Sequence, residues 1–216
     1  MDLEPPYNVI IYSGGKCGGS SLLVSFQEKL SNAIKPKVFK PMFIHTNEQF
    51  LNCRRLGIYP FKQTNNKEPI FNFLSDDVII IDSYRNPIDR KLSSYFQNLE
   101  HNRKEFKVPK NLSIDEEVDF FQMHIFPHLE NYEGITEPMK YYGLDKLEYH
   151  GKYWIGKKDK KLFIRLKFEF IKDWGEILSD ILGVEIKIKS SNLSIDKEYY
   201  NYYKNFCLIY KNKFLY

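Results

Sequence analysis

Residues 9–23, VIIYSGGKCGGSSLL, pass from β-branched apolar chain through glycine, lysine and serine and back to apolar chain. A short apolar run stopped by two glycines predicts a buried strand, NVIIYSGG (8–15), ending in a tight turn. From Ser20 onward the period changes. Leu22, Leu23, Phe26 and Leu30 fall on one helical face, with Ser20 or Ser21 available as N-cap. A strand, a glycine turn and a helix are the unit that opens an α/β fold, so the rest of the chain must supply parallel strands and covering helices.

That turn has a chemical consequence. If Gly14, Gly15, Gly18 and Gly19 lead into a helix N-terminus, backbone N–H groups converge on one concavity where the helix dipole adds positive potential. Such a concavity suits an anion, phosphate above all. Lys16 would add a mobile charge and Ser20 and Ser21 hydroxyl donors. The nucleotide loop GxxxxGK[ST] fits poorly: Gly14 and Gly19 have its spacing, but Ser20 occupies the lysine position. A phosphatase-type cysteine loop fits no better, because the position six after Cys17 is Leu23 rather than arginine. A glycine turn holding no ligand is the plain alternative.

Further elements follow in α/β order. KVFKPMFIHT (37–46) carries Pro41 and so predicts an edge strand. DVIIIDSYRN (77–86) predicts the central strand, followed by a helix over 87–104 that opens on Pro87. Ser113 with Glu116 forms a capping-box pattern, which places a helix over 113–126. KKLFIRLKFEFI (160–171) reads as a strand and KDWGEILSDILG as a helix closed by Gly183. VEIKIK (184–189) alternates as a short strand does, and a tyrosine-rich helix closes the chain. The expectation is one domain over residues 1–216, with a central largely parallel sheet flanked by helices.

Composition excludes several classes. Lys and Arg number 32 against 28 Asp and Glu, a net charge of +4, which fits an anion cleft better than a dense nucleic-acid grip. No apolar run approaches the roughly 18 to 20 residues needed to span a bilayer, and MDLEPPYN has no signal-peptide pattern, so a cytoplasmic protein is expected. Three cysteines, Cys17, Cys53 and Cys207, have no metal-type spacing, so neither a disulfide framework nor a structural metal is expected.

SYRNPIDRKLSSYF (83–96) adds a second anion-binding element, with Arg85 at the carboxyl end of the central strand and Ser93 on the helix beyond. Ligands of open α/β sheets gather at that edge. Here the chain resembles a known family. GGKCGGSSL is similar to the loop with which sulfotransferases hold the 5′-phosphosulfate of PAPS (3′-phosphoadenylyl sulfate). RNPIDRKLSSYF is similar to their 3′-phosphate motif, an arginine followed eight residues later by a serine. LFIRLKFEFIKDWGEIL resembles a later segment of the family, and YYGLDKLEYHGKYWIGKKDKKLFIRLKFEF resembles a subgroup identified with capsular-polysaccharide synthesis.

The resemblance implies a P-loop-like sulfotransferase architecture, PAPS as donor, PAP (adenosine 3′,5′-bisphosphate) as product and no metal. It implies that Lys16 contacts the transferring group and that Gly15, Lys16, Cys17, Gly18, Gly19, Ser20 and Ser21 enclose the 5′-phosphate. Arg85 and Ser93 would hold the 3′-phosphate. His45 stands where several such enzymes carry a catalytic histidine, and an imidazole with a pKa of roughly 6.5 suits proton abstraction near neutrality. Glu48 is the alternative base. The acceptor would be a hydroxyl, a saccharide by the subgroup resemblance, with neither nucleic acid nor membrane as partner. No Arg-Lys-Gly type loop over the 3′-phosphate is found near the C-terminus.

Other residues carry blander readings. His101 is expected on a solvated helix end, His124 and His128 flanking Pro127 in a structural or acceptor-contact role, and His150 in a polar loop. Tyr199, Tyr200, Tyr202, Tyr203 and Tyr210 read as core packing before a ligand platform, and Lys157, Lys158, Lys160 and Lys161 as a solvated turn. Two rival functions remain open at this point. One is a nucleotide or sugar kinase using ATP and magnesium, with Asp82 near the metal; the other is a noncatalytic protein that binds PAP.

Overall fold

The apolar run around DVIIIDSY is buried from Val78 to Ser83, as a strand covered on both faces must be. In the computed structural model, residues 7–13, 18–31, 39–44, 78–128, 136–189 and 198–215 are described. In chain order the elements are β1 (Tyr7–Tyr12), α1 (Gly19–Ser31), β2 (Phe39–Ile44), β3 (Val78–Tyr84), α2 (Pro87–Gln97), α3 (Leu99–Glu105) and α4 (Ile114–Phe120). They continue with α5 (Glu137–Tyr141), β4 (Glu148–Tyr149), β5 (Tyr153–Lys158), β6 (Lys161–Lys167), α6 (Trp174–Leu182) and α7 (Tyr200–Phe214). Contacts group them into two compact units, Met1–Arg85 with Gly134–Ser191, and Asn86–Glu133 with Asn192–Tyr216.

The first unit is built on a mixed sheet of strand order β2-β1-β3-β6-β5-β4, the last strand being only two residues long. β1 pairs in parallel with β2 and β3, and β3 with β6, whereas β5 and β4 add on as antiparallel strands. The centre is therefore parallel, and Pro41 sits on an edge strand where a missing N–H does least harm. Alternation divides the sheet residues between two cores. Val9, Ile11, Ile79, Ile81, Ile164 and Leu166 pack with Leu22 and Phe26 of α1 and with Trp174, Leu178 and Leu182 of α6. Ile10, Tyr12, Ile80 and Phe163 pack on the opposite face with Met139 of α5, Tyr142 and Leu144.

β1 crosses through α1 to β2 on one side, while β3 lies on the other side of β1. The strand order thus reverses at the carboxyl ends of β1 and β3, the place where open α/β sheets form a ligand crevice.

Three local expectations change. Helix α1 starts at Gly19, so Ser20 and Ser21 occupy its first turn instead of capping it. The helix expected over 87–104 breaks at Asn98, whose φ of −123° and ψ of 43° leave the helical region between α2 and α3. VEIKIK is no strand. Ile186 N–H donates to Ser179 Oγ at 2.8 Å and Lys189 N–H to Ser25 Oγ at 2.8 Å, so serines on α6 and α1 satisfy this backbone in place of a neighbouring strand. Ile186 and Ile188 still point into the core, which is the alternation the sequence displays.

The second unit is helical. Asn86 caps α2 through its side-chain oxygen, which accepts from the N–H of Ile88 at 2.9 Å, and Pro87 occupies the first turn. Ser113 and Glu116 form the anticipated capping box of α4, which runs on as a π turn over Phe121–Ile125. Tyr199, Tyr202 and Tyr203 pack on Phe96, and Tyr210 on Phe121, so these tyrosines are core residues.

Among these rings lies a charge. Glu117 is 3% exposed and accepts from Arg103 Nη2 at 2.7 Å, Tyr95 Oη at 2.5 Å and Tyr202 Oη at 2.7 Å. Burial alone would raise its pKa, but these donors, Arg103 foremost, outweigh burial and hold it below the ordinary carboxylate value of 4.5. Burial beside the same carboxylate pushes the Tyr202 phenol up to about 12. A depressed folded-state pKa means that this group's stabilisation is complete above pH 4.5 and disappears as pH falls through the lower folded value. Thermal melts from pH 7 down to pH 3 should therefore show the wild-type midpoint falling below that point. Glu117→Gln should start lower, by about 1.5 to 3 kcal/mol for the lost charge-assisted hydrogen bonds, and should lose part of the acid-limb slope. An unchanged acid limb would show that Glu117 is not ionised in the folded chain.

Candidate functional site

The carboxyl ends of β1 and β3 are joined by hydroxyls before any ligand enters. Ser13 follows β1 and Ser83 lies in β3; their Oγ atoms are 3.0 Å apart and both residues are buried. Gly14, Gly15, Lys16 and Cys17 come next and lie outside the described residues, as do His45 and Glu48. The chain re-enters at Gly18 with φ +79°, a left-handed conformation that favours glycine. Its carbonyl accepts from the N–H of Ser21 at 3.1 Å and of Leu22 at 3.2 Å, closing the first turn of α1. The N–H groups of Gly19 and Ser20 have no acceptor within the helix, as the geometry of a helix start requires. Ser20 is exposed, while Ser21 is 3% exposed and packs inward. Of the two serines, Ser20 has the accessible hydroxyl.

A packing constraint fixes Gly18. A Cβ at this position would stand 2.8 Å from Cη2 and 3.0 Å from Cζ3 of Trp174. Trp174 is fully buried at the start of α6, and its Nε1 donates to the carbonyl of Lys167 at 2.8 Å. Phe168 meets it edge-on at 6.3 Å between centroids. The guanidinium of Arg85, just past β3, lies over the Phe168 ring at 4.6 Å. A continuous set of contacts, Gly18 to Trp174 to Phe168 to Arg85, therefore connects the start of α1 with the arginine beyond β3. Both lie at the carboxyl edge, on the sheet face that α1 covers.

The opposite face of that edge is different. Asp82, 4% exposed, accepts from Arg165 Nε at 2.6 Å, forming a nearly buried ion pair across β3 and β6. Beyond it Tyr84 meets Trp154 edge-on at 5.6 Å, and Tyr149 lies 5.1 Å from Trp154. Lys167 Nζ lies 4.6 Å from the centroid of the Tyr149 ring and 5.3 Å from that of Trp154. None of these four residues was singled out from sequence. The available signal was EYHGKYWI (148–155), two aromatic runs about Gly151, which is the pattern of a hairpin.

Ser93, the other expected 3′-phosphate residue, is half-buried on α2 in the second unit. The motif that reads as continuous in sequence thus spans the boundary between Arg85 and Asn86. His101 pairs with Glu105 at 3.3 Å on an exposed helix, His124 packs on Phe120, His128 on Phe106 and His150 on Tyr153. Among the described residues no cluster of His, Cys, Asp and Glu could hold a metal ion. None of the described helices is long and apolar enough to cross a membrane. Lys157 and Lys158 end β5, and Lys161 begins β6 after a turn through Asp159, so the lysine run is a hairpin turn.

No protein-family model, curated protein or solved structure was found to match the chain.

Proposed function

We propose that this protein is a sulfotransferase of P-loop-like architecture that moves a sulfuryl group from PAPS to an acceptor hydroxyl, a saccharide by resemblance. The observation that carries the reading is the contact path from Gly18 through Trp174 and Phe168 to Arg85. It supports an anion crevice shared by the start of α1 and Arg85, residues that belong to the two segments resembling the PAPS motifs.

The chemistry follows from positioning and electrostatics. The acceptor oxygen attacks sulfur in line with the bridging oxygen. A new S–O bond forms while the bond to the 5′-phosphate breaks, and PAP departs carrying the electron pair. Lys16 offsets the charge that builds on the leaving phosphate, and the N–H groups of Gly18, Gly19 and Ser20 hold it. His45 accepts the hydroxyl proton, with Glu48 as the alternative base. Arg85 anchors the 3′-phosphate, and Ser93 keeps the role its resemblance implies.

The kinase alternative has less support, because Asp82, the carboxylate it would need for magnesium, is held by Arg165 at 2.6 Å. Thermal unfolding with each ligand separates the two. PAP at about 100 times its Kd should stabilise the chain by about 2.7 kcal/mol, a midpoint shift of roughly 5 to 10 °C, whereas ATP with magnesium should shift it little. The converse pattern would overturn the assignment. Binding of PAP without sulfate transfer to any hydroxyl in a broad acceptor panel would identify a noncatalytic binder.

A further inference from the structure

We infer that Tyr84, Tyr149, Trp154 and Lys167 form the subsite for the acceptor, and that this acceptor is an acidic saccharide carrying carboxylate groups. The name acceptor rests on the sulfuryl-transfer reading; the binding chemistry does not.

The four side chains come from the ends of β3, β4, β5 and β6 and gather at the carboxyl edge of the sheet, on the face opposite α1. Tyr149 is 52% exposed and Trp154, Tyr84 and Lys167 are half-buried, so the cluster is open to solvent. The tyrosine and tryptophan rings are inclined at 39°, and Tyr84 stands at 75° to Trp154. No two of these planes are parallel, so a flat nucleobase finds no slot between them. A pyranose chair presents apolar C–H groups on a puckered face, which suits rings meeting at an angle.

Charge narrows the ligand further. Lys167 Nζ donates to Tyr149 Oη at 2.6 Å and lies over two rings, and among the described residues no carboxylate pairs with it. Its neighbours on the same edge are otherwise accounted for, since Arg165 is neutralised by Asp82 and Lys152 by Asp173 at 2.8 Å. A single uncompensated ammonium beside apolar rings selects a ligand that combines C–H faces with negative charge. Uronate-containing sugars have both.

The test uses the full chain without donor. An oligosaccharide of alternating uronate and N-acetylhexosamine is compared with its carboxyl-reduced neutral analogue by saturation-transfer NMR and by tryptophan fluorescence. Of the two tryptophans, Trp174 is fully buried, so the fluorescence response should come from Trp154. The acidic sugar should bind at least about threefold more tightly than the neutral one, and Lys167→Gln should abolish that preference, bringing the two affinities together. Trp154→Ala should weaken both by about tenfold or more, and Trp154→Phe should weaken both by less, with melting midpoints confirming that each variant folds. Equal affinity for both sugars, or a response to adenosine and to neither sugar, would overturn the inference. Absence of sugar binding in a chain that PAP still stabilises would refute the subsite and leave the donor assignment standing.

Discussion

Replacing Lys16 by alanine is expected to lower turnover by about 100 to 1000-fold, the usual loss when one donor aimed at developing charge is removed. The effect should fall mainly on kcat, because the charge on the bridging oxygen grows between the bound state and the transition state. Arg85→Ala should do the reverse. On the proposed sulfuryl-transfer reading it removes charge-assisted hydrogen bonds already made in the ground state, about 1.5 to 3 kcal/mol, so the Kd for PAP should rise by roughly 10 to 150-fold with kcat at saturation little changed. Steady-state kinetics on both variants, with PAP binding by calorimetry, reads the split. Undiminished turnover in Lys16→Ala would remove the mechanism, whatever became of PAP affinity.

The largest effect on stability is expected at Trp174. Truncation to alanine empties the space of a fully buried indole and strands the carbonyl of Lys167, which accepts from Nε1 at 2.8 Å. Large-to-small changes of this kind cost about 3 to 5 kcal/mol, a fall of roughly 6 to 20 °C for a chain of this length. PAP affinity should drop with it, because the ring sets both the height of Gly18 and the position of Phe168 beneath Arg85. Trp174→Phe keeps most of the volume and loses the N–H, so a smaller cost is expected. Melts by circular dichroism with and without PAP measure both quantities; a loss under about 1 kcal/mol for the alanine variant would contradict the packing described.

Gly18 shows how much of such a site a sequence can announce. Its place in GGKCGG marks it as a turn residue ahead of a helix, and the positive φ agrees. That an indole from a helix more than 150 positions later lies against it is not written in any local period. The same holds for Arg85. The residue's position after a buried β-branched run places it at the carboxyl end of β3, but Phe168 reaches it only because β6 pairs beside β3 in parallel. VEIKIK fails in the instructive direction. Its alternation correctly marks Ile186 and Ile188 as inward, but a period of two reports which side is buried and not what satisfies the backbone, and here two serines do. The break at Asn98 was equally hidden, since no glycine or proline marks it.

From residue order alone came the parallel centre, the edge position of the Pro41 strand, the capping box at Ser113 and the glycine turn into α1, because each is written in short-range backbone preference and in the period of apolar residues. Tertiary structure alone decided that Trp174 and Phe168 would support Gly18 and Arg85, that Arg165 would occupy Asp82, and that Tyr84, Tyr149, Trp154 and Lys167 would meet from four strand ends. Those meetings depend on strand order and register. Both arise from how separate segments bury one another, and that information is shared across the chain rather than carried by any one stretch of it.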